Sequence, residues 1–390
     1  MLFFLAFFSI YLAMHLFTWA MFSAQLSLSS RKRAWGCVVC VFLTITPFLA
    51  HLIPLTWPKG FTYIFWQLTF TWLAMIFYLF LFQIAVLAGR IVSWPFFRRT
   101  PLEGSSKIAL AGAFLCILVT GWGFFEAGRP VKTAQYQLES LKLDQDIRIV
   151  FLSDLHLGVQ KSSQRLARLI NLMEQQEPDL IIFGGDVVND HLEWLEDEAE
   201  QLKELNAPAG KYGVLGNHEF YPGVEKSLEL FRQSEIIILD DEIKIMEDLG
   251  LVLMGVSDPA PFSRPREHQE QVTEMLLQDI DQDRFNLLIS HRPWGFELAA
   301  QAGVDLHLAG HTHNGQIFPF RYLVRLQFRY VYGLYEKAGS RLIVTSGAGS
   351  WGPPIRVMAP AEIVVVDLVA GRDQPAHTSR RDTQEKFRSQ

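Results

Sequence analysis

Near the middle of this 390-residue chain stand the residues Ile149-Val150-Phe151-Leu152-Ser153-Asp154-Leu155-His156. The first four are large and apolar or β-branched, which is typical of a buried strand. A carboxylate and an imidazole follow at once, at Asp154 and His156. If the segment stays extended, side chains two residues apart point to the same side and could hold one ion together. The stretch therefore predicts a strand with a binding site at its carboxyl end.

Four later strand candidates end in the same kind of residue. They are Leu180–Phe183 before Gly184-Gly185-Asp186, Val214-Leu215 before Gly216-Asn217-His218-Glu219, Leu287–Ser290 before His291-Arg292-Pro293, and Leu306–Ala309 before Gly310-His311-Thr312-His313. Sites in α/β sheets are built at the carboxyl ends of strands, and glycine lets the backbone turn sharply there. A single such Asp or His is usually a turn former or a packed side chain. The whole set favours one shared site.

The second half of the chain alternates short apolar runs with amphipathic stretches. We predict strands at Ile147–Leu152, Leu180–Phe183, Tyr212–Leu215, Leu251–Gly255, Asn286–Ile289, Leu306–Ala309, Leu342–Thr345 and Ile363–Leu368. Helices are predicted around Leu166–Met173, Glu193–Leu205, Val224–Gln233, His268–Asp279 and Trp294–Ala302. This alternation indicates a layered α/β fold. Residues 371–390 are polar without an apolar pattern and are predicted to be disordered.

The strand-end residues offer the donors that a divalent metal ion prefers. Carboxylate oxygens and imidazole nitrogens suit hard or borderline ions, and the second half of the chain has no cysteine for a thiolate site. Asp186 can bridge two ions because a carboxylate has two oxygens. The other donors are Asp154, His156, Asn217, His291, His311 and His313. Two ions about 3.5–4 Å apart can hold a phosphoryl group between them.

Taken in order, the blocks Asp154-x-His156, Gly185-Asp186, Gly216-Asn217-His218-Glu219, His291 and Gly310-His311-x-His313 resemble the five signature blocks of the calcineurin-like metallophosphoesterases. The resemblance covers roughly residues 145–370. It implies a four-layer α/β/β/α sandwich around two metal ions. Blocks such as Gly255-Val256-Ser257-Asp258-Pro259 are similar to those of the bacterial, membrane-anchored envelope branch, although Ser257 stands where that branch more often has an acidic residue.

The resemblance also implies residue roles. One ion would be held by Asp154, His156, Asp186 and His313, and the other by Asp186, Asn217, His291 and His311. A hydroxide held by the metals would attack phosphorus. His218 would protonate the leaving oxygen or stabilise the phosphoryl charge, oriented by Glu219, and imidazole suits this because its unperturbed pKa is about 6.5. Mn, Fe, Zn, Co and Ni all suit such donors.

Residues 1–126 have a different composition, with few charges and many aromatic residues. Four stretches reach the roughly 20 apolar residues that a helix needs to cross a bilayer. They are Leu2–Leu28, Ala34–Leu55, Phe65–Ala88 and Ile108–Phe125, with three or five spans as alternatives. We therefore expect a multi-span helical membrane region, followed by a hydrolytic domain at 127–370.

The basic residues of the short loops predict the orientation of the membrane region. The first loop carries Arg31, Lys32 and Arg33, and the third carries Arg90, Arg98, Arg99 and Lys107, whereas the second has only Lys59. Because short basic loops stay in the cytoplasm, the amino terminus and the hydrolytic domain are predicted on the outer side of the cytoplasmic (inner) membrane.

Charge and a late basic stretch bear on the substrate. A formal charge of −6 argues against nucleic acid as a partner. Arg321, Arg325 and Arg329 recur at spacing four among aromatic residues, which fits a membrane-surface element or an anionic head-group clamp as well as an ordinary half-buried helix. Arg356 either contacts substrate phosphate or lies on the surface.

The sequence thus predicts a membrane-anchored hydrolase of phosphate or pyrophosphate esters, with lipid-linked esters as one candidate class. It leaves open whether monoesters or diesters are cleaved. The alternative is a non-catalytic metal-binding sensor or regulatory module of a membrane protein.

Overall fold

The computed structural model describes residues 2–53, 57–93, 105–159, 163–189, 192–259 and 264–371. Four amino-terminal helices are α1 (Leu2–Gln25), α2 (Ser30–His51), α3 (Lys59–Ser93) and α4 (Ser106–Gly128). All four are long and apolar enough to cross a membrane, so the described residues contain the four predicted spans. Arg98, Arg99 and the predicted tail beyond Gly371 lie outside the described residues.

Helix α3 is 35 residues long, longer than the predicted span. At about 1.5 Å per residue it exceeds the roughly 30 Å apolar thickness of a bilayer. The segment around Lys59 was expected to be a loop, but the helix begins there. Polar side chains inside the bundle satisfy one another: Gln25 and Gln83 exchange hydrogen bonds of 3.0 Å, and Trp72 donates to His15 at 2.8 Å.

The remaining chain forms two six-stranded sheets, with strand orders β1-β12-β2-β3-β4-β5 and β10-β11-β9-β8-β7-β6. The strands are β1 (Lys132–Ser140), β2 (Ile147–Leu152), β3 (Leu180–Phe183), β4 (Lys211–Gly213), β5 (Ile237–Ile238), β6 (Glu242–Met246), β7 (Leu251–Val256), β8 (Phe285–Ser290), β9 (Leu306–Ala309), β10 (Gly333–Lys337), β11 (Ser340–Val344) and β12 (Glu362–Ala370). The helices are α5 (Ser163–Glu174), α6 (Glu196–Glu204), α7 (Val224–Gln233), α8 (Pro265–Leu276), α9 (Phe296–Ala302) and α10 (Arg321–Gln327).

Three apolar interfaces hold these layers together. Between the sheets, side chains such as Phe151 and Leu287 form a common buried cluster. Helices α5, α6 and α7 cover the outer face of the first sheet, where Phe231 packs in one cluster with Phe183. Helices α8 and α9 cover the second sheet, with Leu276 in the cluster of that face. The predicted four-layer α/β/β/α sandwich is confirmed.

Four strands that the sequence did not indicate, β1, β5, β6 and β10, lie at the edges of the two sheets. Strand β1 pairs in parallel with β12, and β6 and β10 close the two ends of the second sheet. In β1, β6 and β10, exposed side chains alternate with partly buried ones. These strands therefore lack the continuous apolar run of the central strands.

The membrane helices pack directly on the sandwich. Tyr78 of α3 donates to the carbonyl of Phe318 at 3.0 Å, and the backbone N–H of Arg356 donates to the carbonyl of Gly123 in α4 at 3.0 Å. Ala74, Ile317 and Ile355 share a buried cluster. The anchor therefore contacts the segments that flank the carboxyl ends of the strands.

Candidate metal centre

The strand-end residues singled out in the sequence come together at one edge of the two sheets. Asp154 and His156 follow β2, Asp186 follows β3, and His291 follows β8. His311 and His313 follow β9, and His218 lies beyond β4. Most of these side chains are buried, and Asp154 and His291 are fully enclosed.

The first group of donors consists of Asp154, His156 and His313, which together could hold an ion. The Oδ1 atom of Asp154 lies 3.2 Å from Nε2 of His313 and 3.9 Å from Nε2 of His156. The two Nε2 atoms are 3.0 Å apart. Three donor atoms thus face one small volume.

The second group consists of Asp186, His291 and His311. Oδ2 of Asp186 lies 3.2 Å from Nε2 of His291, which is 3.0 Å from Nδ1 of His311. The same Oδ2 atom is 3.8 Å from Nε2 of His156 in the first group. Asp186 therefore stands between the two groups, where a bridging ligand would stand.

The arrangement fits divalent cations. Oδ1 of the buried Asp154 has no hydrogen-bond partner among the described residues. Burial opposes ionisation of Asp154 and Asp186, but the neighbouring imidazoles outweigh it and hold the pKa of each carboxyl below its usual value. Two buried carboxylates beside converging imidazole nitrogens are the nitrogen and oxygen donor set of zinc and related transition metals.

Tight turns aim these side chains. Five of these residues have positive φ angles, in the left-handed region that residues other than glycine rarely adopt. They are Asp154 (59°), His156 (50°), Asp186 (52°), His311 (68°) and His313 (48°). The sequence argument that the first two residues share one side of an extended segment is therefore wrong, because strand β2 ends at Leu152. Such backbone strain clusters at functional sites.

Two glycines let the chains approach closely. A Cβ atom at Gly310 would collide with Oγ of Ser153, and one at Gly216 would collide with Oδ1 of Asp186. Only glycine therefore fits at these two positions without moving its neighbours.

Glu219 is fully buried, and its carboxylate binds backbone N–H groups. Its carboxylate accepts four backbone N–H bonds, at 2.9, 2.8, 3.1 and 2.7 Å, from Asp186, Val187, Val188 and Gly216. Burial and the charge of Asp186 raise the pKa of Glu219 to about 7, against the effect of these N–H groups. The expectation that Glu219 orients the ring of His218 is wrong: the carboxylate fixes the turn that carries Asp186.

His218 lies at the mouth of the site and forms, with His156 and Asp186, a third group of donors that could hold an ion. Its backbone N–H donates to Oδ1 of Asp186 at 2.8 Å, and its ring Nε2 lies 3.9 Å from Oδ2. Its ring contacts those of Tyr221 and Trp351, which are 60% and 51% exposed. Burial lowers the pKa of His218 to about 4, so the ring is neutral at pH 7. No sequence pattern had singled out the two aromatic residues.

Asn217 is oriented by an arginine. Its Oδ1 atom accepts a 3.0 Å hydrogen bond from Arg292, whose Nε atom lies 2.5 Å from Oδ2 of the buried Asp258. Ser257 instead accepts a hydrogen bond from the backbone of Leu215 at 3.1 Å and supports the strand end. The sequence pattern alone assigns no role to Arg292 or Asp258.

Arg356 is fully buried, so the prediction that it contacts substrate or lies on the surface is wrong. Its guanidinium donates to the carbonyls of Ser346, Gly349 and Ala359 and lies 3.5 Å from Nδ1 of His313. It joins the segment from Ser346 to Gly349 to His313, one of the candidate metal ligands.

Arg321 and Arg325 lie on helix α10, whose first residue, Arg321, packs its backbone against Gly315 in the turn that carries His313. Arg321 donates to the carbonyl of Met358 and stacks over Phe318, and Arg325 stacks over Tyr322. The ring of Phe320 packs 6.0 Å from Phe77 of α3. The helix is thus a neighbour of the membrane bundle, and contact of the two arginines with substrate stays a prediction.

Comparison with known proteins agrees with this geometry. The profile of the calcineurin-like phosphoesterases matches residues 147–315. A metallophosphoesterase of Helicobacter pylori strain J99 is 33% identical over 68% of this chain and 72% of its own length. One from Aquifex aeolicus is 33% identical over 65% of this chain and 98% of its own length. A transmembrane protein with a metallophosphoesterase domain from Danio rerio is 27% identical over 88% of this chain and 83% of its own length.

The matched profile spans the region that carries all of the converging donors. The zebrafish match covers 88% of the chain and so must also include much of residues 1–126. The chain therefore belongs to the calcineurin-like metallophosphoesterases.

Proposed function

We propose that this protein is a membrane-anchored, two-metal phosphoesterase that hydrolyses phosphate or pyrophosphate esters. One observation carries the proposal: Oδ2 of Asp186 lies 3.2 Å from His291 and 3.8 Å from His156, within reach of both donor groups. A carboxylate in that place can tie two cations together.

In this proposal Asp154, His156, Asp186 and His313 hold one ion, and Asp186, Asn217, His291 and His311 hold the other. When bound, two divalent ions supply Lewis acidity and neutralise phosphoryl charge. The native metal is one of Mn, Fe, Zn, Co or Ni by donor type.

The protein's own residues prepare the site. His218 faces the mouth and places a neutral imidazole beside the leaving oxygen, where it donates a hydrogen bond. Glu219 fixes the backbone around Asp186, and Arg292 directs the oxygen of Asn217. Arg356 holds the segment behind His313. These contacts keep the donors preorganised.

The position of the mouth favours a substrate at the bilayer surface. Trp351 lies beside His218, and the adjacent Gly352 packs near Phe70 of membrane helix α3. Helix α10 exposes Tyr322, Leu323 and Leu326, and Phe320 at its amino-terminal end contacts Phe77 of α3. Apolar surface of this kind suits an ester carried by a lipid.

The orientation proposed from the loops has support in the helix packing. Helices α1 and α3 run parallel, since His15 meets Trp72 and Gln25 meets Gln83. The basic residues that the sequence assigned to the first and third loops lie, where described, in the ends of α2, α3 and α4 that are remote from Gly128, after which the sandwich begins. We expect a reporter that works only in the cytoplasm to stay silent when fused after Arg129, and a strong signal there would overturn the orientation.

The test of activity uses the full chain purified in detergent. It is assayed against aryl phosphomonoesters, aryl phosphodiesters and lipid phosphates, with its metal content measured in parallel. Asp186→Ala should abolish both hydrolysis and metal retention, whereas Asp367→Ala, which removes a partly exposed carboxylate paired with Arg148, should change neither. A wild-type chain that binds metal yet cleaves no ester would favour the regulatory alternative.

A further inference from the structure

We propose that a cavity between membrane helices α3 and α4 and helix α5 binds an anionic phospholipid, as a site separate from the metal centre. The cavity has a volume of about 1130 Å³. Sites for small organic ligands typically measure about 300–1,000 Å³, so this one is large enough for a head group and part of its chains.

Membrane-spanning elements form one wall of the cavity. Tyr63 and Leu68 of α3 and Phe124 of α4 line it, and Leu68 is largely exposed. Because both helices can cross a bilayer, this wall continues the surface that faces lipid chains. An acyl chain can follow the wall without leaving an apolar environment.

The cavity also has a cationic wall. Arg129, Arg165 and Arg168 line the cavity, and among the described residues no aspartate or glutamate does. Arg168 takes part in none of the ion pairs formed within the described ranges, whereas Arg129 pairs with Glu126 at 3.1 Å. Guanidinium groups bind phosphate oxygens through paired N–H donors, so this wall selects a phosphate monoanion or dianion.

Two buried polar atoms lie in the same walls. Oε1 of Gln67 and Oγ of Ser350 have no hydrogen-bond partner in the described part of the chain. A buried polar group without a partner costs free energy. The hydroxyl of Ser350 can donate to a phosphate or ester oxygen, and Gln67 can accept from a glycerol hydroxyl, so a phospholipid head group satisfies both.

The cavity touches the support of the metal centre without sharing its donors. Ser350 follows Gly349, whose N–H donates to the carbonyl of Asp154 at 2.8 Å. Burial and the neighbouring charge of Arg168 lower the pKa of Arg165, so an anion between the two relieves their repulsion. A lipid in this place would join the bilayer to the segment that backs the site.

The experiment measures lipid retained by the purified full chain. Native mass spectrometry follows delipidated protein titrated with phosphatidylglycerol, phosphatidylcholine or inorganic phosphate. We expect phosphatidylglycerol to bind more tightly than phosphatidylcholine, and phosphate at the same concentration not to displace it. Equal retention of the two lipids, or displacement by phosphate, would overturn the proposal.

Variants locate the site. Arg168→Gln should weaken phosphatidylglycerol binding about five-fold, the effect expected for one arginine near an anionic lipid. Ser350→Ala should also weaken it. The matched control is Arg266→Gln, whose side chain is exposed on α8 and pairs with Glu270. Binding by Arg168→Gln equal to that of the control would contradict the assignment, and unchanged metal content verifies that the variants fold.

Discussion

Replacing Glu219 with glutamine separates two roles for this residue. If Glu219 anchors backbone, the change affects folding and metal binding together; if it oriented His218, the change would affect turnover alone. The carboxylate accepts four backbone N–H bonds, and one amide nitrogen in place of an oxygen turns acceptors into a donor facing N–H groups.

The magnitude follows from the contacts. Oε2 serves Asp186 and Gly216, and Oε1 serves Val187 and Val188, so either orientation of the new amide disrupts two bonds. Above pH 7, where the Glu219 carboxyl is mostly ionised, hydrogen bonds to this charged group contribute about 1.5–3 kcal/mol each, so the loss is about 3–6 kcal/mol. Single substitutions usually cost about 0.5–3 kcal/mol, so this one should stand out.

The assay is thermal unfolding of the full chain in detergent, with metal content measured on the same samples. Glu219→Gln should melt well below wild type and retain less metal. Glu225→Gln, an exposed change in helix α7, is the matched control and should leave both unchanged. A Glu219→Gln chain with normal melting and normal metal content, but slow turnover, would refute this reasoning.

Three further changes test other parts of the site. His218→Ala should lower turnover by about 10²–10⁴-fold with metal content unchanged, because the proposed function gives this ring the task of assisting the leaving group rather than binding metal; loss of metal would show that it is a ligand. Gly310→Ala should lower metal content, measured by elemental analysis, because the new methyl group collides with Ser153 beside Asp154; normal metal content would contradict the close approach. Arg356→Met should lower the melting temperature, because the carbonyls of Ser346, Gly349 and Ala359 lose their donor and each buried acceptor left without one costs about 1–3 kcal/mol; normal stability with weaker substrate binding would restore a direct role for this arginine.

The sequence was informative where chemistry is concentrated in rare residue types. Carboxylates and imidazoles directly after apolar runs, such as Asp186 after β3, could be assigned because strand ends meet at one edge of a sheet. The central strands were found because residues buried on both faces form continuous apolar runs.

The features that the sequence did not predict depend on contacts between segments that are distant along the chain. Strand β1 is half-exposed and polar, and only its pairing with β12 makes it a strand. The burial of Arg356 depends on carbonyls that fold around it, and the role of Glu219 depends on backbone groups rather than side chains. The left-handed turns at Asp154 and His156 likewise have no signature in residue type.

The most direct test of the metal assignment is to load the purified full chain with Mn²⁺, count the ions by elemental analysis and record the electron paramagnetic resonance spectrum. Two ions per chain with a spin-coupled spectrum, both lost in Asp186→Asn, are predicted, because one carboxylate reaches both donor groups. A single ion per chain, or two ions with the six-line spectrum of isolated Mn²⁺, would contradict a shared Asp186.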